Sequence, residues 1–266
     1  CTTLAERTRR LLERQAKDSE ERQRIETELD VANRIQADML PCIFPAFPER
    51  PEFDIYAVMN PAKEVGGDFY DFFMVDEQHL AVVIADVSGK GIPAALFMVI
   101  GKTLIKDHTK PDISLGAVFS EVNDLLCDAN SEGLFITAFE GVLDLVTGEF
   151  HFVNAGHEIP FIAREGEDYE PYRIKPGFVL AGMENMKYQA GDKIFQYTDG
   201  VTEAMNGKEE LYGMERLGSV LRMNTAKKPE ELLAAVKADV DVFAGGAPQF
   251  DDITMLCVEY VKRMEK

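Results

Sequence analysis

Tryptophan is absent from the 266 residues, and cysteine and histidine number four each. Cys1, Cys42, Cys127 and Cys257 lie far apart with no C-x-x-C pair, which suggests neither a disulfide framework nor a zinc site. A reducing, cytoplasmic setting is the expectation. Apolar stretches are short: Leu80–Val87 and Ala94–Ile100 reach at most about eight residues, and a membrane helix needs about 20. Nothing at the N-terminus has the pattern of a signal peptide. The chain begins at Cys1 and not Met, so it is expected to be part of a longer one, possible settings including the cytoplasmic part of a membrane-attached sensor. Basic residues are outnumbered, 28 Lys and Arg against 47 Asp and Glu, for a net charge of −19. Such a body repels phosphate backbones and removes nucleic acid from the leading partners.

What is present is an ordinary globular composition, 46% apolar and 28% charged. Residues 1–40 read as one helix without Gly or Pro, with Leu4, Leu11, Asp18, Ile25, Ala32 and Met39 recurring every seven residues beside Leu29 and Ile35. The seam is broken by a charged stretch over 13–28, so the pattern fits equally a short coiled coil that dimerises the chain and a single solvated helix. Pro41, Pro45, Pro48 and Pro51 make residues 41–52 a non-helical connection. Residues 53–266 form the remaining domain. Strand-like runs at Phe53–Met59, Asp68–Val75, Leu80–Val87, Leu134–Val146, Glu149–Asn154, Pro160–Ala163, Lys193–Thr198 and Ile253–Val261 alternate with helical patterns at Ile92–Asp107, Ser114–Asn130, Tyr212–Met223 and Pro229–Phe243. Hairpins outnumber strand–helix alternations, which predicts an α+β fold with mostly antiparallel sheet.

Four sites share one pattern. Gly66-Gly67-Asp68 opens a strand, Asp86 closes the run Leu80–Ala85, Asp199-Gly200 follows Ile194–Thr198, and Asp251-Asp252 precedes Ile253–Val258. Each acid sits where a buried strand meets a loop. A lone Asp-Gly is usually a turn. Four strand-end carboxylates gathered together would repel one another, and divalent cations resolve that repulsion. An oxygen-only ligand set suits Mg²⁺ or Mn²⁺ rather than zinc. Two such ions activate water for attack on phosphorus, which makes phosphomonoester hydrolysis the natural expectation.

The motifs Val65–Asp71, Ala85-Asp86-Val87-Ser88-Gly89-Lys90-Gly91-Ile92-Pro93-Ala94-Ala95, Asn154-Ala155-Gly156-His157, Thr198–Glu203 and Asp251–Thr254 resemble, in order, those of the bacterial SpoIIE/RsbU-type members of the PPM serine/threonine protein phosphatases. The segment Ala32–Pro41 resembles the family's link from an upstream sensor to the catalytic domain. The resemblance implies a central antiparallel β-sandwich flanked by helices, binding two or more Mn²⁺ or Mg²⁺ ions. It implies Asp86 as the bridging ligand, the Val87 carbonyl on the second ion, Asp199 and Asp251 on the first, and Asp68 bound directly or through water. Asp252, Gly67 and Gly200 would support these ligands. The implied substrate is a phosphoserine or phosphothreonine on a STAS-type anti-sigma-factor antagonist. Where the wider superfamily has a histidine two residues after the bridging Asp, this chain has Ser88, and His157 is the available imidazole.

Three shorter matches do not carry. Gly66–Phe69 echoes diguanylate cyclases but leaves Asp199 and Asp251 unused. Gly101-Lys102-Thr103 would need a glycine where Leu96 stands. Gly89–Ala94 lacks the second strand of a dinucleotide fold. The rival from another class is a regulatory dimerisation module with a vestigial metal site.

Overall fold

A computed structural model describes residues 2–128, 130–173 and 182–265; Cys1 and the last positions of the expected helix Ser114–Asn130 fall partly outside them. It divides into two compact units, residues 1–39 and 40–266. The first is the helix α1 (Thr2–Met39). Its apolar side chains Leu11, Leu12, Ile25, Val31 and Ile35 are exposed. Among the described residues no helix is long and apolar enough to cross a membrane.

The second unit runs β1 (Phe53–Asn60), β2 (Phe69–Met74), β3 (His79–Val87), α2 (Ile92–His108), α3 (Leu115–Asp128), β4 (Ile136–Asp144), β5 (Glu149–Ala155), β6 (Phe161–Ala163), β7 (Glu170–Pro171), β8 (Gly182–Lys187), β9 (Lys193–Tyr197), α4 (Asp199–Thr202), α5 (Gly213–Met223), α6 (Pro229–Ala244) and β10 (Ile253–Tyr260). Among the described residues the strands form two five-stranded sheets, β1-β10-β9-β6-β7 and β2-β3-β4-β5-β8. Their pairings are antiparallel throughout, as in the β2–β3 register Phe69↔Ala85 and the β10–β9 register Cys257↔Phe195.

Side-chain alternation explains the layers. Ile194, Leu256 and Val258 of one sheet pack with Leu80, Val82, Ile84 and Phe139 of the other, in a core that also takes in Phe97 and Met98 of α2 and Val118 and Val122 of α3. Their chain neighbours Phe195, Met255 and Cys257 face the opposite way, into a second core with Leu217 and Leu221 of α5 and Leu232, Val236 and Val240 of α6. Both sheets are therefore covered on both faces, which is why β3 reads as a nearly continuous apolar run.

Three elements differ from expectation. β7 spans only Glu170–Pro171. β8, Gly-Met-Glu-Asn-Met-Lys, is free of β-branched residues and alternation, and it forms because β5 supplies a paired edge from Glu149↔Lys187 to Asn154↔Gly182. α4 is a single turn beginning at Asp199. Gly101-Lys102-Thr103 lies inside α2 and not in a phosphate loop: a Cβ on Gly101 would collide with the Ile136 side chain, and Lys102 pairs with the buried Asp71 at 2.6 Å.

Candidate metal centre

Antiparallel pairing brings the four acidic sites to one edge. Asp86 sits at the C-terminal end of β3 and Asp68 just before β2, its antiparallel partner. Asp199 follows β9 by two residues and Asp252 immediately precedes β10, paired likewise. Strand ends that are hundreds of atoms apart in sequence thus share a rim.

Asp86, Asp199 and Asp251 line one cleft of about 290 Å³ with Val87, Ser88, Gly89, Lys90, Phe135, Thr137, Gly156, His157 and Glu158. Asp68 and Asp252 lie behind its wall, both buried. The Asp68 carboxylate accepts hydrogen bonds at Oδ2 from the hydroxyls of Thr198 (2.7 Å) and Thr254 (2.6 Å), while the Thr254 amide donates to the Thr198 hydroxyl oxygen at 3.1 Å. Asp252 acts on backbone: its oxygens accept from the amides of Ala62 (2.7 Å) and Gly67 (2.8 Å). It thereby fixes the loop that delivers Asp68.

The glycines beside the acids are required by crowding. A Cβ on Gly67 would lie 2.9 Å from the Val87 carbonyl oxygen, so only glycine lets that loop pass over β3. A Cβ on Gly200 would collide with the backbone carbonyl of Asp252. Both positions let the rim close where a side chain would not fit.

The carboxylates feel one another. Burial, with Asp86 next, holds the Asp68 carboxyl well above the ordinary range. Burial and then Asp199, Asp251 and Asp252 push Asp86 up to about 7. Burial, Asp251 and Glu203 push Asp199 up to about 6. This is the signature of acids assembled without sufficient positive charge. Among the described residues no three His, Cys, Asp or Glu side chains form a ready-made ligand knot; the acids ring a cleft instead of meeting at a point. Hard oxygen donors around a space of that kind fit Mg²⁺ or Mn²⁺, which keep several waters.

Two positions left open by sequence are accounted for. Ser88 exchanges two bonds with Phe135, its amide donating to the Phe135 carbonyl at 2.9 Å and its hydroxyl accepting from the Phe135 amide at 2.9 Å, so it pins the lip of the cleft. His157 is held at Nδ1 by the Thr137 hydroxyl at 3.1 Å, and its own amide donates to Asn154 Oδ1 at 2.8 Å. Burial pulls its imidazole down to about 4. At neutral pH it is uncharged and organises the Asn154–His157 turn. Sequence reasoning missed Thr198 and Thr254 as the partners of Asp68, although each stands within two residues of a motif acid. It also missed Glu158, Thr137 and Phe135 as cleft walls.

The chain is 31% identical over 267 aligned positions to protein IcfG of Synechocystis, covering 87% of this chain and 41% of that protein. It is 31% identical over 205 positions to phosphoserine phosphatase RsbU of Bacillus subtilis, covering 73% of this chain and 60% of that protein. It thus spans only about two-fifths to three-fifths of those relatives' lengths. The SiaA-PP2C domain of Pseudomonas aeruginosa superposes with a TM-score of 0.77 at 21% identity, over 92% of this chain and 98% of that one. The catalytic domain of the serine/threonine phosphatase PstP in complex with two manganese ions superposes with a TM-score of 0.51 at 13% identity, over 79% and 99%. These likenesses identify the sandwich as a PP2C fold. The family described as Stage II sporulation protein E (SpoIIE) matches residues 76–261. That stretch carries Asp86, Asp199 and Asp251 together, and by it the chain belongs to the SpoIIE family.

Proposed function

We propose that the 40–266 unit hydrolyses phosphoserine or phosphothreonine on a protein, using Mn²⁺ or Mg²⁺. The observation that carries the reading is the convergence of Asp86, Asp199 and Asp251 on one cleft whose acids raise one another's pKa. Asp86, Asp199 and Asp251 would hold the ions with the Val87 carbonyl, and Asp68 would act from behind the wall. When bound, divalent ions neutralise these carboxylates and act as Lewis acids toward water and the phosphoryl oxygens. The chain's own part is positioning. Thr198 and Thr254 orient Asp68, Asp252 sets the backbone of residues 62–68, and the Ser88–Phe135 pair fixes the lip. His157, tied to the Thr137 hydroxyl and Asn154, serves as a structural member of the cleft wall. The manganese-bound neighbour and the phosphoserine phosphatase relative support this reading.

The substrate proposed on the family resemblance is a phosphorylated STAS-type protein. The helix α1 is proposed to join an upstream sensor and to pair with a second copy, since its heptad residues Leu11 and Ile25 are exposed. The deciding experiment is phosphate release from a panel of phosphorylated STAS proteins, with Mn²⁺ and with EDTA. Release that needs Mn²⁺ is expected; equal rates in EDTA would remove the metal from the reading.

A further inference from the structure

Lys90 is the only lysine or arginine lining the cleft among the described residues. Its Nζ lies 2.8 Å from Asp251 Oδ2, donates to the Phe250 carbonyl at 2.7 Å and sits 3.9 Å from the centre of the Phe250 ring. It rides on a loop between Gly89 (φ 88°) and Gly91 (φ 81°). A Cβ on Gly91 would meet nothing within 4 Å, and one on Gly89 only the Leu134 side chain at 3.6 Å. Positive φ, not crowding, therefore explains this glycine pair, and the arch it makes presents Lys90 to the cleft.

The segment Lys90 touches is anchored without it. Gln249 Nε2 donates to the carbonyls of Asn60 (2.7 Å) and Asp251 (2.8 Å), and the Asp252 amide donates to Asp251 Oδ1 at 3.0 Å. A strap from Lys90 is thus redundant for placing Asp251. Meanwhile the rest of the charged wall is carboxylate: Asp86, Glu158, Asp199 and Asp251. A phosphate dianion entering such a cleft meets repulsion from every charged group but one.

We propose that Lys90 recognises the phosphoryl group of the substrate, its ammonium resting on Asp251 until phosphate arrives. Cations held by the acids reverse the local field, weakening the pull of Asp251 on the ammonium and favouring a phosphoryl oxygen in its place. The four-carbon stem of the half-buried Lys90 allows the movement without any backbone change. This inference rests on the phosphatase reading, whose substrate it positions.

The test uses the whole chain as wild type, Lys90→Gln and Lys90→Arg. Calorimetry measures Mn²⁺ binding alone and then inorganic phosphate binding to the Mn²⁺-loaded protein, with p-nitrophenyl phosphate hydrolysis and thermal unfolding alongside. Loss of a charge-assisted contact predicts that Lys90→Gln weakens phosphate binding about tenfold or more. Its Mn²⁺ affinity is expected to equal or exceed wild type, and Lys90→Arg to recover phosphate binding to within a few-fold. Phosphate affinity within twofold of wild type in Lys90→Gln overturns the proposal. So do parallel losses of Mn²⁺ and phosphate affinity, which would make Lys90 a strap for Asp251. A wild-type protein that binds both ions yet hydrolyses nothing overturns the phosphatase reading alone, while one that binds neither overturns both.

Discussion

The Thr254 hydroxyl donates to the Asp68 carboxylate at 2.6 Å across 186 residues of chain. This bond joins the residue that leads into β2 of one sheet to β10 of the other, at the rim where the acids gather. Burial and Asp86 oppose ionisation of Asp68, and the hydroxyls of Thr254 and Thr198 favour it. On the proposed reading, these opposing influences set how readily Asp68 could serve a cation.

Thr254→Val removes one donor and leaves Asp68 buried. The expected cost is about 1–3 kcal/mol of stability, together with Mn²⁺ affinity lowered by about 10- to 100-fold, the range seen for groups that orient metal ligands. Thermal unfolding and Mn²⁺ titration measure the two effects separately. Unchanged Mn²⁺ affinity would confine Thr254 to packing.

Asp86→Asn and Asp199→Asn are expected to abolish Mn²⁺-dependent hydrolysis, with losses beyond about 100-fold. Each also removes a charge from a set of acids that destabilise one another, so in EDTA both variants should unfold at a higher temperature than wild type. The opposite signs of the two effects separate a lost ligand from a damaged fold. Wild-type hydrolysis rates in either variant would end the metal reading.

Glu140 gives the fold a pH dependence remote from the cleft. It is fully buried in β4, and burial pushes its carboxyl up to about 8. The Thr109 hydroxyl stands 2.7 Å from Glu140 Oε1 and 2.8 Å from the Ile105 carbonyl, yet it has one proton to give. Protonated at Oε1, Glu140 donates to Thr109, which then donates to Ile105; Glu140 Oε2 is buried with no hydrogen-bond partner among the described residues, which disfavours the ionised form further. The folded pKa lies above the unfolded one, so this contribution is whole below about 4.5 and is lost as pH rises through about 8. Wild type should lose on the order of a few kcal/mol across that window, and Glu140→Gln should remove this slope. Denaturant unfolding at pH 5, 7 and 9 measures it; identical slopes would place the ionised Glu140 in contact with water.

Much of this rim was legible in the sequence because an acid that ends a run such as Leu80–Ala85 stands out from its apolar surroundings. The stacking of the two sheets that brings Asp86 toward Asp199 was not, and neither was the pairing Met255↔Tyr197 that sets Asp199 beside Asp252, since both join segments far apart in the chain. β8 escaped because its residues have little strand preference and a single paired side. Lys90 was visible within Gly89-Lys90-Gly91 but mute: its meaning comes from Asp251 and Phe250, which only the fold brings within reach.

The α1 heptad makes the last prediction. Exposed Ile25 and half-buried Leu29 sit one helical turn apart beside a charged stretch, on a helix whose Leu11, Leu12 and Ile35 are also exposed. Such a seam binds weakly as a coiled coil, so its paired and unpaired states would differ by only a few kcal/mol. An attached sensor could bias that equilibrium at small energetic cost. Placing a carboxylate in the seam adds like-charge repulsion and desolvation to the paired state alone. Leu29→Asp and Ile25→Asp should therefore move the protein from dimer toward monomer in sedimentation velocity and change Mn²⁺-dependent hydrolysis in parallel, while leaving thermal unfolding of the 40–266 unit in place. Equal sedimentation and equal activity for wild type and Leu29→Asp would reduce α1 to a linker and confine regulation, if any, to the cleft itself.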